Sequence, residues 1–354
     1  MGSRKGSLAG EVTWAQAQLA LVALSTPAGE DQLQLLASLL TAFVQQNLDP
    51  ACSPHLRASA PDRLDSLAAL LSRKDIPPAV RLLALQALKI LARRQDIRLR
   101  CTQHVLGVLS PLLDAAASSG SLGSSLASEA ANAASNLAYE AANAAGLVRA
   151  GAVPRLLGLL GASAAGDDAH GNAAGALQTL SFSQEGRAAL LKAGGAAAVL
   201  NSPAEGGRSG SAAAGTGEGR LLQRLVGALH NLSSGAAGTA AIRQEGGVAL
   251  LSAALRCGQA RVAASAAGAL QNMSREAAAR ADIRGQPGAV AALAELLTGP
   301  DVQAAVCAAG ALANLCEGAE GAQGALASCL AGALAGGAVF HSLGAGLASP
   351  AATS

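Results

Sequence analysis

Histidine and cysteine are the first places to look for chemistry, and here their spacing excludes most of it. His55, His104, His170, His230 and His341 stand far apart, with no nucleophile or carboxylate at a suggestive interval. No HExxH, GxSxG or paired Cys/His spacing occurs, so no zinc site and no serine hydrolase can be read from the chain. Cys52, Cys101, Cys257, Cys307, Cys316 and Cys329 form no CxxC pair, and a chain of 354 residues does not need disulfide staples. They read as reduced thiols of a protein of the cytoplasm or nucleus. The run Gly215-Thr216-Gly217-Glu218-Gly219 lacks the spacing and the preceding strand of a phosphate loop. The expectation is a chain without catalytic residues, bound metal or cofactor.

Asparagine is the polar residue that recurs on a period. Gly227-Ala228-Leu229-His230-Asn231-Leu232-Ser233 returns as Gly268-Ala269-Leu270-Gln271-Asn272-Met273-Ser274 and as Gly310-Ala311-Leu312-Ala313-Asn314-Leu315-Cys316. Variants run from Gly175 to Ser181, with Thr179 at the Asn position, and from Asn132 to Ala138, with Asn136 there. The equivalent positions 136, 179, 231, 272 and 314 are 43, 52, 41 and 42 residues apart. A second phrase follows each of the first four, and aligning Gly151, Gly194, Gly246 and Pro287 gives spacings of 43, 52 and 41. Two phrases in one register define a repeat. The long interval contains residues 201–219, rich in Gly, Ser and Ala, which read as an inserted loop.

The elements that must carry these residues follow from composition and period. Residues of the AVILMFWYC class make up 51%, aromatics 1% and charged residues 14%. That excludes a β-sandwich or barrel, which needs aromatic and β-branched residues, and favours closely packed helices. A net charge of +2 provides no field for nucleic acid or an anionic membrane. Ala322 to Gly346 carries no charged residue apart from His341, but Ala and Gly insert weakly, so it reads as buried helices of an array. Each repeat reads as a short helix, a Gly-broken turn, a second helix and a long third helix ending in the Asn phrase. Thr298-Gly299-Pro300-Asp301 supplies a stop, a breaker and an N-cap before the last of these. Stacked units bury what no unit could bury alone.

This pattern resembles the armadillo repeat of β-catenin and its relatives. The match is good over about residues 97–318 and weaker at 61–94, where Ile90 holds the Asn position. The resemblance implies an all-α, right-handed superhelical solenoid of three-helix repeats. Residues 1–60 would form an N-terminal helical cap or flanking segment, 61–345 an array of about six units, and 346–354 a disordered tail. It also implies that the third helices line a concave groove. There Asn136, Asn231, Asn272 and Asn314, interrupted by Thr179, would bond the main chain of an extended peptide. Arg224 and Glu276 would add charge selection, and Gly227, Gly268 and Gly310 would leave the floor open. Importin-α-like proteins carry Trp where these glycines stand, so recognition of nuclear signals is not expected. The cluster Arg93, Arg94, Arg98 and Arg100, with Lys89 and Arg81 nearby, reads as a solvated helix end or as a site for an acidic partner.

The function implied is a non-catalytic scaffold for a protein or peptide partner, monomeric, without nucleic acid and without stable membrane insertion. The alternative is a regulator of a small GTPase, because Asn314-Leu315-Cys316-Glu317 is similar to the corresponding helices of the smg GDP dissociation stimulators.

Overall fold

The computed structural model describes residues 13–57, 64–117, 120–163, 165–202 and 217–317, together with Ala327 and Ala331. Most of the 201–219 segment and all of the 346–354 tail lie outside the described residues, as does nearly all of 318–345. The chain divides between Ala193 and Gly194 into two compact units. The first contains α1 (Trp14–Val22), α2 (Glu30–Gln46), α3 (Pro54–Arg57), α4 (Asp65–Ser72), α5 (Pro78–Leu91), α6 (Gln95–Arg98), α7 (Gln103–Leu112), α8 (Gly120–Leu137), α9 (Ala141–Arg149), α10 (Ala152–Gly161), α11 (Asp167–Leu180) and α12 (Gln184–Lys192). The second contains α13 (Gly195–Leu200), α14 (Gly217–Leu232), α15 (Ala236–Gln244), α16 (Gly247–Ala254), α17 (Ala260–Met273), α18 (Ala277–Gly285), α19 (Ala289–Leu296) and α20 (Val302–Cys316). No strand occurs among the described residues.

The three-helix repeat is plain in α6–α8 and α9–α11 of the first unit, and in α15–α17 and α18–α20 of the second. Its first turn depends on one glycine. Gly151, Gly194, Gly246 and Gly288 all have φ between +71° and +76° and stand just before the second helix of their repeat. That left-handed conformation is nearly free for Gly and costly for a residue with a Cβ. In the last repeat the turn is made by Gly288, one place beyond the Pro287 that the phrase alignment selects, because α18 and its exit turn hold an extra residue.

Long third helices stack on one another. In the first unit α2 packs on α5, α5 on α8 and α8 on α11; in the second, α14 packs on α17 and α17 on α20. A helix flanked on several sides needs an apolar surface nearly all round. Thus α17 buries Val262, Ala263, Ala266, Ala267, Ala269, Leu270 and Met273. Its alanines allow close approach, while Leu270 and its equivalent Leu229 are fully buried, each contributing about 2 kcal/mol of burial. The same layering reaches α2, where the sequence shows a helical pattern without a clear repeat. Leu36, Leu40, Phe43 and Val44 are buried at the steps that Val80, Ala84, Ala87 and Leu88 take in α5.

Ion pairs join adjacent repeats. Lys89–Glu129 (2.7 Å), Arg98–Glu140 (3.1 Å) and Arg155–Asp114 (2.8 Å) lie in the first unit. Arg243–Asp282 (2.6 Å) and Arg256–Glu295 (2.7 Å) lie in the second. These fix register more than they stabilise. Arg256 and Glu295 are largely exposed and screened by solvent, so a double-mutant cycle of Arg256→Ala and Glu295→Ala should give a coupling of about 0.5 kcal/mol or less, vanishing in 1 M salt. A salt-independent coupling well above 1 kcal/mol would mean that the pair is effectively buried.

Candidate functional site

The Asn phrase forms the last turns of the third helices, so each of its letters meets the neighbouring repeat. In the second unit Asn231, Asn272 and Asn314 take the same place on α14, α17 and α20, and all three are half-buried. Asn136 takes that place on α8 of the first unit and is half-buried too. Arg224, half-buried, lies two turns before Asn231 on the same helix. Glu276 is not on a third helix: it is the N-cap residue of α18, where its carbonyl accepts from the Arg280 N–H at 2.9 Å. The structure therefore brings the three asparagines of the second unit onto successive third helices and leaves Glu276 at the corner after α17.

The side-chain nitrogens of the ladder are engaged with the repeat before. Asn136 Nδ2 donates to the Lys89 carbonyl at 3.1 Å. Asn272 Nδ2 donates to Ser233 Oγ at 3.2 Å. Asn314 Nδ2 donates to Ser274 Oγ at 3.0 Å and to the Gln271 carbonyl at 3.4 Å. The serine that closes the phrase thus has a role the sequence did not reveal. Ser233 and Ser274 are buried, and each hydroxyl donates back to a carbonyl of its own helix, His230 at 2.7 Å and Gln271 at 2.8 Å. Thr179, which interrupts the ladder, is buried and donates to the Gly175 carbonyl at 2.9 Å.

Gly268 and Gly310, one turn earlier, do not leave an open floor, contrary to the sequence expectation. A Cβ on Gly268 would lie 2.6 Å from Nε2 of His230, and one on Gly310 would collide with the Gln271 amide. In these two repeats the residue before the Asn, His230 or Gln271, lies over the glycine of the next repeat. His230 consequently has its imidazole held below the usual range by burial.

Arg93, Arg94, Arg98 and Lys89 of the basic cluster are engaged within the first unit, whereas Arg100 is exposed. Arg93 donates to the Asn47 and Leu48 carbonyls at 2.7 and 3.2 Å. Arg94 pairs with Asp96 at 2.6 Å, and Lys89 and Arg98 are in the ion pairs already described. Arg98, Arg187 and Arg280, each eight residues after a ladder position, donate to two carbonyls at the end of their third helix at 2.9–3.3 Å. These guanidiniums satisfy the carbonyls that a helix end leaves over.

On the first unit, α5, α8 and α11 open a cleft of about 330 Å³, lined by Gln86, Ser124, Ser128, Glu129, Asp167 and Asp168 among others. Glu129 is already paired with Lys89. Among the described residues no group of three or more His, Cys, Asp or Glu could hold a metal ion. Burial pushes the Cys101 thiol up to about 12, which leaves no nucleophilic thiolate at neutral pH. No single helix among the described residues is long and apolar enough to cross a membrane.

His55 gives the structure a pH dependence. It is buried against Phe43, with ring centroids 5.7 Å apart, and burial together with the Arg94 charge lowers its pKa to about 4. A histidine that stays neutral when folded but takes a proton at about 6.5 when unfolded costs stability as the pH falls. Stability of the first unit should be level above pH 6.5 and should drop by about 2–3 kcal/mol between pH 6.5 and 4. Denaturant melts of wild type and His55→Leu across that range check this. The variant should lose most of the slope, and an equal slope would assign the effect elsewhere.

Comparison with solved structures agrees with the fold. No family model matches the sequence, and no curated protein matches it. Solved structures do. An engineered protein superposes on 90% of this chain and 71% of its own, with a TM-score of 0.70 and 24% identity. A designed armadillo repeat protein matches over 71% of this chain and 99% of its own, with a TM-score of 0.58 and 19% identity. A designed armadillo repeat protein in complex with the peptide (KR)4 matches over the same shares, with a TM-score of 0.56 and 20% identity.

Proposed function

With an armadillo-type, all-α repeat fold as the premise, we propose that the chain is a non-catalytic scaffold of the cytoplasm or nucleus. It holds an extended peptide, or a partner protein presenting one, along the face where the third helices stack. The observation that carries this reading is the placement of Asn231, Asn272 and Asn314 at one level on three consecutive helices, half-exposed on that face. Amide side chains suit a main chain, because they pair with peptide groups without reading side chains. A related design whose structure holds a peptide supports the reading as a precedent for the fold. Arg224 and Glu276 would bias the choice of side chains at the edges of the site. A small-GTPase regulator rests on resemblance alone and would show itself as an outcome of partner capture.

The test is selection of twelve-residue peptides from a random library against the full chain, followed by titration of the winners. Binding that falls tenfold or more in Asn272→Ala and in Asn314→Ala supports the scaffold. Winners that bind both variants as tightly as wild type would move the site off this face.

A further inference from the structure

Two exposed aromatic rings recur with the repeat in the first unit. Tyr139 and Phe182 stand three residues after positions 136 and 179, so they are one repeat, 43 residues, apart. They follow the ends of α8 and α11, two third helices that pack on each other. Tyr139 is 63% exposed and Phe182 61%. The other aromatic residues among those described, Trp14 and Phe43, are buried against each other with ring centroids 5.5 Å apart. In a chain that is 1% aromatic, large exposed rings thus occupy one position of two consecutive repeats. The same position elsewhere holds Arg93, Ser234, Arg275 or Glu317.

Both rings are mounted on fixed groups. The Arg98 guanidinium lies 5.8 Å from the Tyr139 ring centroid, and it is itself held by Glu140 and by the carbonyls of Ala92 and Arg93. Arg187 donates to the Phe182 carbonyl at 3.0 Å and so fixes the backbone that carries the second ring. Packed helices stand about 8–10 Å apart, which sets the step from one ring to the next. A polyproline II helix repeats every three residues, or about 9 Å. Prolines three apart in such a segment therefore reach both rings at once. The segment is extended before it binds, so docking on aromatic side chains costs it little entropy. Charge adds a preference. Arg98 and Arg187 are half-buried and turned to carbonyls, and Glu140 is paired with Arg98. Glu185, three residues past Phe182, is exposed and forms no ion pair with a described residue. The open charge beside the rings is thus negative and complements a basic residue.

We propose that Tyr139 and Phe182 form a docking site for a proline-rich segment of a partner protein, with prolines three residues apart on the two rings and a basic residue beside Glu185. The site uses none of the ladder asparagines and goes beyond the groove proposed above.

The experiment titrates the full chain into fluorescein-labelled twelve-residue peptides and follows anisotropy. One peptide has proline at every third position and a terminal arginine; a second has proline at every fourth; a third has alanine for every proline. The first should bind, the second at least fivefold more weakly and the third not measurably. Tyr139→Ala and Phe182→Ala, each shown to be folded by circular dichroism, should each weaken the first peptide about tenfold, as loss of an anchoring ring does. Tyr139→Phe keeps the ring and should bind within twofold of wild type. Glu185→Gln should cost about two- to threefold at low salt, and nothing for a peptide without the arginine. Absence of binding by the first peptide, equal binding of all three, or full affinity in the folded Tyr139→Ala and Phe182→Ala variants would overturn the proposal. Loss in Asn272→Ala with none in Tyr139→Ala would place the peptide at the ladder and overturn it as well.

Discussion

Gly238→Ala should destabilise the second unit by about 2–3 kcal/mol, although alanine is the better helix former. Gly238 lies in the first helix of its repeat, and a Cβ there would collide with the backbone carbonyl of Leu232, at the end of the third helix before it. A flexible side chain could move aside; a carbonyl inside a packed helix end cannot without shifting the helix. Alanine gains roughly 1 kcal/mol in helix propensity, and the overpacking opposes it with a larger cost. Gly186 has the same relation to the Leu180 carbonyl in the first unit, so Gly186→Ala should behave alike. Gly107 and Gly158 supply the control. Both stand inside helices with nothing within 4 Å of an added Cβ. Gly107→Ala and Gly158→Ala should therefore stabilise by about 0.5–1 kcal/mol. Urea melts of the four variants check the sign. Stabilisation in all four would mean that the corner between third and first helix is looser than the structure shows.

Asn231→Ala, Asn272→Ala and Asn314→Ala combined should abolish measurable peptide binding and should also lower stability, by roughly 2–3 kcal/mol in total. Asparagines that faced only a ligand would give a variant that loses affinity while its melting curve hardly changes. The structure replaces that expectation, because the nitrogens of Asn272 and Asn314 bond the preceding repeat. Each lost hydrogen bond is worth about 1 kcal/mol, and more where the serine or carbonyl left behind stays buried. Affinity should fall further than that stability loss explains, because the proposed groove loses three amides at once. Single variants separate the two effects, since each removes one amide and costs less stability. A triple variant as stable as wild type would contradict the bonds between repeats. A stable fold with full affinity would contradict the groove.

Much of this was legible in the repeated phrases. Their period located the third helices, the turn glycines and the ladder, because each recurs wherever one repeat meets the next. What the period could not separate is contact with a ligand from contact with a neighbouring repeat, since both recur at the same interval. Gly268 and Gly310 read as an open floor, yet His230 and Gln271 fill the space above them. The closing serines carried no signal of their own until their hydroxyls were seen bonding backward and accepting forward. Nor did the arginine cluster reveal its direction, because pairing with carbonyls at a helix end depends on side-chain paths rather than on spacing. The repeat of α2 was hidden for a different reason. It lacks the Gly-Ala-Leu-x-Asn phrase and keeps only the burial steps of Leu36, Leu40, Phe43 and Val44.

The location of a bound peptide tests the central claim most directly. A photo-crosslinking residue placed singly at Ala313 or at Gln271, each adjacent to a ladder asparagine, would report contact with the groove. One at Glu245, at the exposed end of α15, would report contact elsewhere. With a library-selected peptide at a concentration near its Kd, the account predicts capture from positions 271 and 313, suppressed by excess unlabelled peptide, and none from 245. Suppressible capture from 245 with none from 271 or 313 would contradict it.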